Sequence, residues 1–99
     1  MALEATVDKL IVAIVQNDDA NGVQSALVDA EFRVTRINTA GGFLRRGNVT
    51  LLVGVPSADV DNVIALIRGN VLARVAENDQ KTQVSTMLFV LPVSKFARI

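Results

Sequence analysis

Apolar positions along this chain alternate between strand-like and helix-like spacing. Lys9 to Gln16 reads KLIVAIVQ, an apolar run of strand length that stops at Asn17, Asp18 and Asp19. Such a run bounded by turn formers predicts a central strand. From Ala20 to Glu31 the apolar residues Val23, Ala26, Leu27 and Ala30 recur at helical spacing, and Asp18 or Asp19 stands where a side chain caps the first turn. Phe32 to Ile37 alternates apolar and polar residues, as a half-buried strand does. Val49 to Val55, VTLLVGV, predicts a second buried strand that Pro56 ends, and Gly54 within it marks a close approach by backbone or ligand.

Ser57 is the expected N-cap of a second helix. Its apolar stripe runs through Val60, Val63, Ile64, Ile67 and Val71, with an end near Gly69 and Asn70. Val71 to about Lys81 has no clean period and reads as a connection. Gln83 to Val93 contains TMLFVLPV, a last strand that Pro92 confines to a sheet edge or to its own end. Strand, helix, strand, strand, helix, strand is the split βαβ order: an α+β, ferredoxin-like βαββαβ fold with an antiparallel sheet and both helices on one face. The segments AIVQNDDANGV and VGVPSADVDNV echo each other, each passing from a buried strand through turn residues into a helix.

Composition narrows the function more than the fold. With 99 residues, 51% hydrophobic and 20% charged, the sequence suits a single domain over 1–99. Ten basic and ten acidic residues cancel, leaving no net field toward nucleic acid or an anionic membrane. Cysteine and histidine are both absent. That removes disulfides, thiolate metal sites, the usual neutral-pH base and most triad and zinc chemistry. Asp18, Asp19, Asp59 and Asp61 stand at helix starts, where capping and the helix dipole account for them. Lys9, Lys81 and Lys95 have no neighbour in sequence that would depress a pKa. The expectation is therefore a binding protein and not an enzyme, with no catalytic residue, metal or cofactor. The first apolar run is too short for a signal peptide or a membrane span, which predicts a cytoplasmic protein without a membrane contact.

One segment is not scaffold-like. NTAGGFLRRGN, Asn38 to Asn48, joins the two middle strands, where a simple reversal needs about two to five residues. Gly41 and Gly42 allow consecutive N–H groups to turn toward an anion, Arg45 and Arg46 add charge, and Phe43 offers a ring for stacking. A nucleotide suits that set. Equally, the glycines could serve a turn and Phe43 and Leu44 a subunit contact.

The run Phe32-Arg33-Val34-Thr35, then Thr39-Ala40-Gly41-Gly42-Phe43-Leu44-Arg45-Arg46-Gly47-Asn48, then Gly54-Val55, together with FVLPVSKF from Phe89, resembles the PII-like family of cyclic di-AMP receptors. The resemblance implies a signal-transduction homotrimer that holds one cyclic dinucleotide in each cleft between subunits and relays it to a protein partner. It implies that Arg33 and Thr35 face the ligand, that Gly42, Phe43 and Leu44 line an adenine pocket, that Asn48 and Gly54 supply polar and backbone contacts, and that Phe89 forms a second apolar wall. In the family the residue before the aromatic is usually asparagine, here Glu31. A C-terminal glutamine is here Arg98, and the long lobe before the last strand is here only the stretch from Val71 to Thr86. These departures leave an alternative: a trimeric interaction module that has lost cyclic di-AMP binding or takes another adenine nucleotide.

Overall fold

The computed structural model of the protein describes residues 7–37, 48–78 and 86–94. Its elements are β1 (Lys9–Gln16), α1 (Asn17–Asp29), β2 (Val34–Ile37), β3 (Asn48–Val55), a 3-10 turn (Ser57–Asp59), α2 (Val60–Asn78) and β4 (Met87–Pro92). The sheet has four strands in the order β2-β3-β1-β4, and every neighbouring pair is antiparallel. β1 is central and β4, with Pro92 at its end, is an edge, as the sequence pattern requires.

Alternation along β1 and β3 sorts the apolar residues. Ile11, Ala13 and Val15 lie opposite Val53, Leu51 and Val49, and all are buried. They pack with Ala20, Val23 and Leu27 of α1 and with Val63, Ile67 and Val71 of α2 in one cluster, so both helices cover the same face. Arg36 pins an edge of this layer, its guanidinium donating to Asn21 Oδ1 at 2.8 Å and Gln24 Oε1 at 3.4 Å on α1.

Helix boundaries differ from the sequence expectation for identifiable reasons. α1 begins at Asn17, with Gln16 in the cap position and no side-chain cap. Asp18 and Asp19 therefore sit inside the first turn, where their charge complements the helix dipole in place of capping it. At the other end Glu31 adopts φ 70°, its N–H donates to Val28 O at 2.8 Å, and the N–H of Phe32 donates to Leu27 O at 2.9 Å. This is a Schellman termination, with Glu31 in the left-handed position. It uses up Glu31 and Phe32, so β2 starts at Val34 and not at Phe32.

α2 runs straight through Gly69 and Asn70, where the sequence pattern placed its end. Val63, Ile67 and Val71 recur every four residues on the buried face, and Asn70 Nδ2 donates to Leu66 O at 3.0 Å. The packing of Val71 outweighs a mid-helix glycine, worth about 1 kcal/mol against alanine. Residues up to Asn78 that read as a connection are thus helical. Ser57 does not cap α2 with its own hydroxyl. Asp8, just before β1, accepts from the Ser57 backbone N–H at 2.8 Å and from its hydroxyl at 2.7 Å, capping the turn from the neighbouring strand. No helix among the described residues is long and apolar enough to cross a membrane.

Candidate functional site

The face of the sheet away from the helices carries its own order. The strand registers set Thr35, Leu52, Val12 and Phe89 in one row across the four strands. Gly54, Leu10 and Leu91 form the next row toward one end, and Ile37, Thr50, Ile14 and Met87 the row toward the other, beyond which Asn48 pairs with Gln16. Thr35, Asn48, Gly54 and Phe89, which come from separate strands or strand ends, therefore share this open face. Arg33 precedes β2 with the parity of Thr35 and is exposed, whereas Arg36, of opposite parity, is tied to α1. Gly42, Phe43 and Leu44 lie outside the described residues.

Thr35 and Phe89 are both on the face but on opposite edge strands. Three strand spacings of about 4.8 Å separate them, roughly 14 Å, more than one purine base spans. A cleft of about 220 Å³ between α2 and β4 is lined by Ile67, Arg68, Val71, Leu72, Thr86 and Leu88, and a shallower one of about 490 Å³ by Ala30, Phe32, Asn62, Ala65 and Leu66. Neither contains a residue of the open face.

The face is also apolar. Met87 is 53% exposed, Phe89 44% and Leu91 46%, and Leu10, Val12, Ile14 and Leu52 beside them are half-buried. Phe89 is consequently outside the helix-packed core. KLIVAIVQ carried a signal for this: it is apolar at both parities, so its second face also requires cover.

Gly54 has a neighbour that its sequence context did not reveal. A Cβ placed on it would lie 3.1 Å from Val7 Cγ1, so the Val7 side chain occupies the space the glycine leaves. Val7 is held through Asp8. Asp8 N–H donates to Val55 O at 3.3 Å, Val93 N–H donates to Asp8 O at 3.0 Å, and the Asp8 carboxylate is engaged by Ser57. The Ser57 hydroxyl, with smaller help from the Ser57 N–H and Lys9 and against some desolvation, holds the Asp8 carboxyl below its ordinary pKa. Among the described residues no cluster of three or more acidic side chains is placed to hold a metal ion.

The model of a family described as cyclic-di-AMP receptor matches residues 8–86. A protein of unknown function from Pediococcus pentosaceus is 30% identical, with a TM-score of 0.74 over 96% of this chain and 100% of that one. Arabidopsis thaliana PII, solved with citrate, is 25% identical with a TM-score of 0.71 over 95% of this chain and 84% of that one. A nitrogen regulatory PII-like protein from Thiomonas intermedia, solved with ADP, AMP and bicarbonate, shares 14% identity and a TM-score of 0.65 over 93% and 96%. The ferredoxin-like arrangement of four antiparallel strands and two helices is thus the PII-like fold.

Proposed function

This chain belongs to the cyclic-di-AMP receptor family, and from that premise we propose that it is a PII-like signalling protein that binds cyclic di-AMP between the subunits of a homotrimer and relays it to a protein partner. The observation that carries the reading is the division of the candidate residues between the two edges of one open face, Thr35 on β2 and Phe89 on β4. When the β2 edge of one copy comes beside the β4 edge of the next, residues of both edges line one cleft between the copies.

In that cleft Arg33 is the charge partner for a phosphodiester, through ionic hydrogen bonds that are stronger than neutral ones. Thr35 and Asn48 supply hydroxyl and amide groups, and Phe89 supplies a ring face for adenine, with Gly42, Phe43 and Leu44 closing the pocket from the β2–β3 connection. The chemistry is recognition without turnover, and no cofactor takes part. A signal would pass to a partner if the occupied cleft fixes the adjoining connections, because a ligand shifts a conformational equilibrium only by its differential affinity for the two states.

Isothermal titration with cyclic di-AMP, alongside ATP, ADP and AMP, tests this when combined with light scattering for subunit number. Micromolar or tighter binding of cyclic di-AMP to a trimer, weakened at least tenfold by Arg33→Ala, supports the receptor. A folded trimer that binds only ADP or AMP replaces the ligand but keeps the site. A folded trimer with no heat for any of them leaves an interaction module.

A further inference from the structure

Glycine in a strand leaves room for something to approach the backbone, and at Gly54 that something is Val7. The space above Gly54 is already taken by a methyl group, close enough that even one added carbon would meet it at 3.1 Å. Val7 is not a loose occupant. The next residue, Asp8, is bonded through its N–H to β3, through its carbonyl to the residue after β4 and through its carboxylate to Ser57, so the chain next to residue 7 is tied to the strands on both sides of β1. Leu10 and Leu91 continue the same row with apolar side chains, Arg33 standing just beyond its β2 end, whereas Asn48 and Gln16 make the opposite end of the face polar.

We propose that Val7 is a specificity-determining residue of the ligand cleft, setting its depth at the Gly54 end and excluding bases with added bulk there. The inference rests on the nucleotide-binding reading above. A base that reaches Gly54 meets the methyl groups of Val7, with Leu10 and Leu91 beyond. Recognition there is by shape and not by hydrogen bonding, and the size of residue 7 fixes which shapes fit.

The test titrates the wild-type protein, Val7→Ala and Val7→Phe with cyclic di-AMP and with its N6-benzyl and 8-bromo analogues, which add bulk at different edges of the base. Melting temperature and subunit number are followed for each variant. Val7→Phe is expected to weaken cyclic di-AMP at least tenfold. Val7→Ala is expected to reduce discrimination against at least one analogue fivefold or more, with assembly unchanged. Affinities and discrimination ratios that stay within twofold of wild type in both variants, while Arg33→Ala still abolishes binding, overturn the role of Val7 and leave the receptor standing. Absence of cyclic di-AMP binding to folded wild-type protein removes both.

Discussion

Glu31 is the position where one substitution separates folding from ligand recognition. Its φ of 70° places an L residue with a Cβ in the left-handed region, where that Cβ meets the following carbonyl at a cost of roughly 1–2 kcal/mol. Glycine has no Cβ and avoids that cost, but it gives back about 0.4–1 kcal/mol through the larger freedom of its unfolded chain. Glu31→Gly should therefore stabilise the protein by about 1 kcal/mol. At a urea m-value of roughly 1–2 kcal/mol per molar, the midpoint rises by about 0.5–1 M. Glu31→Asn should lie between, because asparagine tolerates the left-handed region better than most residues, and Glu31→Ala should lie within about 0.5 kcal/mol of wild type because it retains the Cβ. Urea unfolding followed by circular dichroism at one fixed protein concentration reads all four proteins, concentration being held because assembly contributes to stability. A Glu31→Ala variant as stable as Glu31→Gly would refute the cap reading, since losing the carboxylate would then explain the gain. The same set bears on the asparagine that the family resemblance implies at this position. Stability that rises for asparagine with unchanged nucleotide affinity makes it a helix terminator, whereas a gain in affinity alone makes it a ligand contact.

Other expectations follow from the sheet ends and the open face. Because the folded-state pKa of Asp8 is depressed, its clip to Ser57 stabilises the protein above the unfolded aspartate pKa of about 3.9 and loses that contribution as pH falls through and below it. The stability gap between wild type and Ser57→Ala should accordingly be open at pH 7 and close below about pH 3.9; a gap constant from pH 7 to pH 3 would show that the clip is not ionic. Gly54→Ala should be less favourable in the wild type, where it crowds Val7, than in a Val7→Ala background, a double-mutant cycle read by urea unfolding, in which additive effects would disprove the contact. Phe89→Asp should shift the protein toward monomers in light scattering, whereas Val28→Asp, on an equally exposed position of α1, should not; equal effects would place the assembly surface elsewhere.

Much of the fold was legible because its signals are local and redundant. β1 and β3 each combine an apolar run with turn formers at the end, and the buried stripe of α2 recurs at helical spacing. The errors lie where a distant contact decides a local outcome. The end of α2 was placed at Gly69 because a glycine weakens a helix in isolation, but burial of Val71 against the sheet carries the helix past it. Ser57 looked like a cap because serine usually is one, yet the capping acceptor is Asp8, 49 residues away in sequence. The site was legible in part. Parity alone sets Thr35 on one face of β2, but only the strand register sets Phe89 in the same row and Val7 over Gly54. No periodicity in the sequence announces either relation.

Under the proposed reading the open face serves recognition and assembly with the same residues, and this constrains how any variant is to be interpreted. Phe89 lies beside Val12 on the apolar part of the face and is also the assigned wall of the cleft. Replacing it removes a stacking surface and an association surface together. If the base needs a second subunit to close around it, loss of association abolishes binding without any lost contact to the ligand, since the competent state is then scarcely populated. Loss of binding in a Phe89 variant thus does not distinguish stacking from assembly. Arg33 and Thr35 are polar and exposed, so substitutions there remove little apolar area, and under the proposed reading they report on the ligand when subunit number is unchanged. Val7 is similarly informative, being anchored through Asp8 within its own subunit, and its effect on selectivity is readable only while subunit number stays constant.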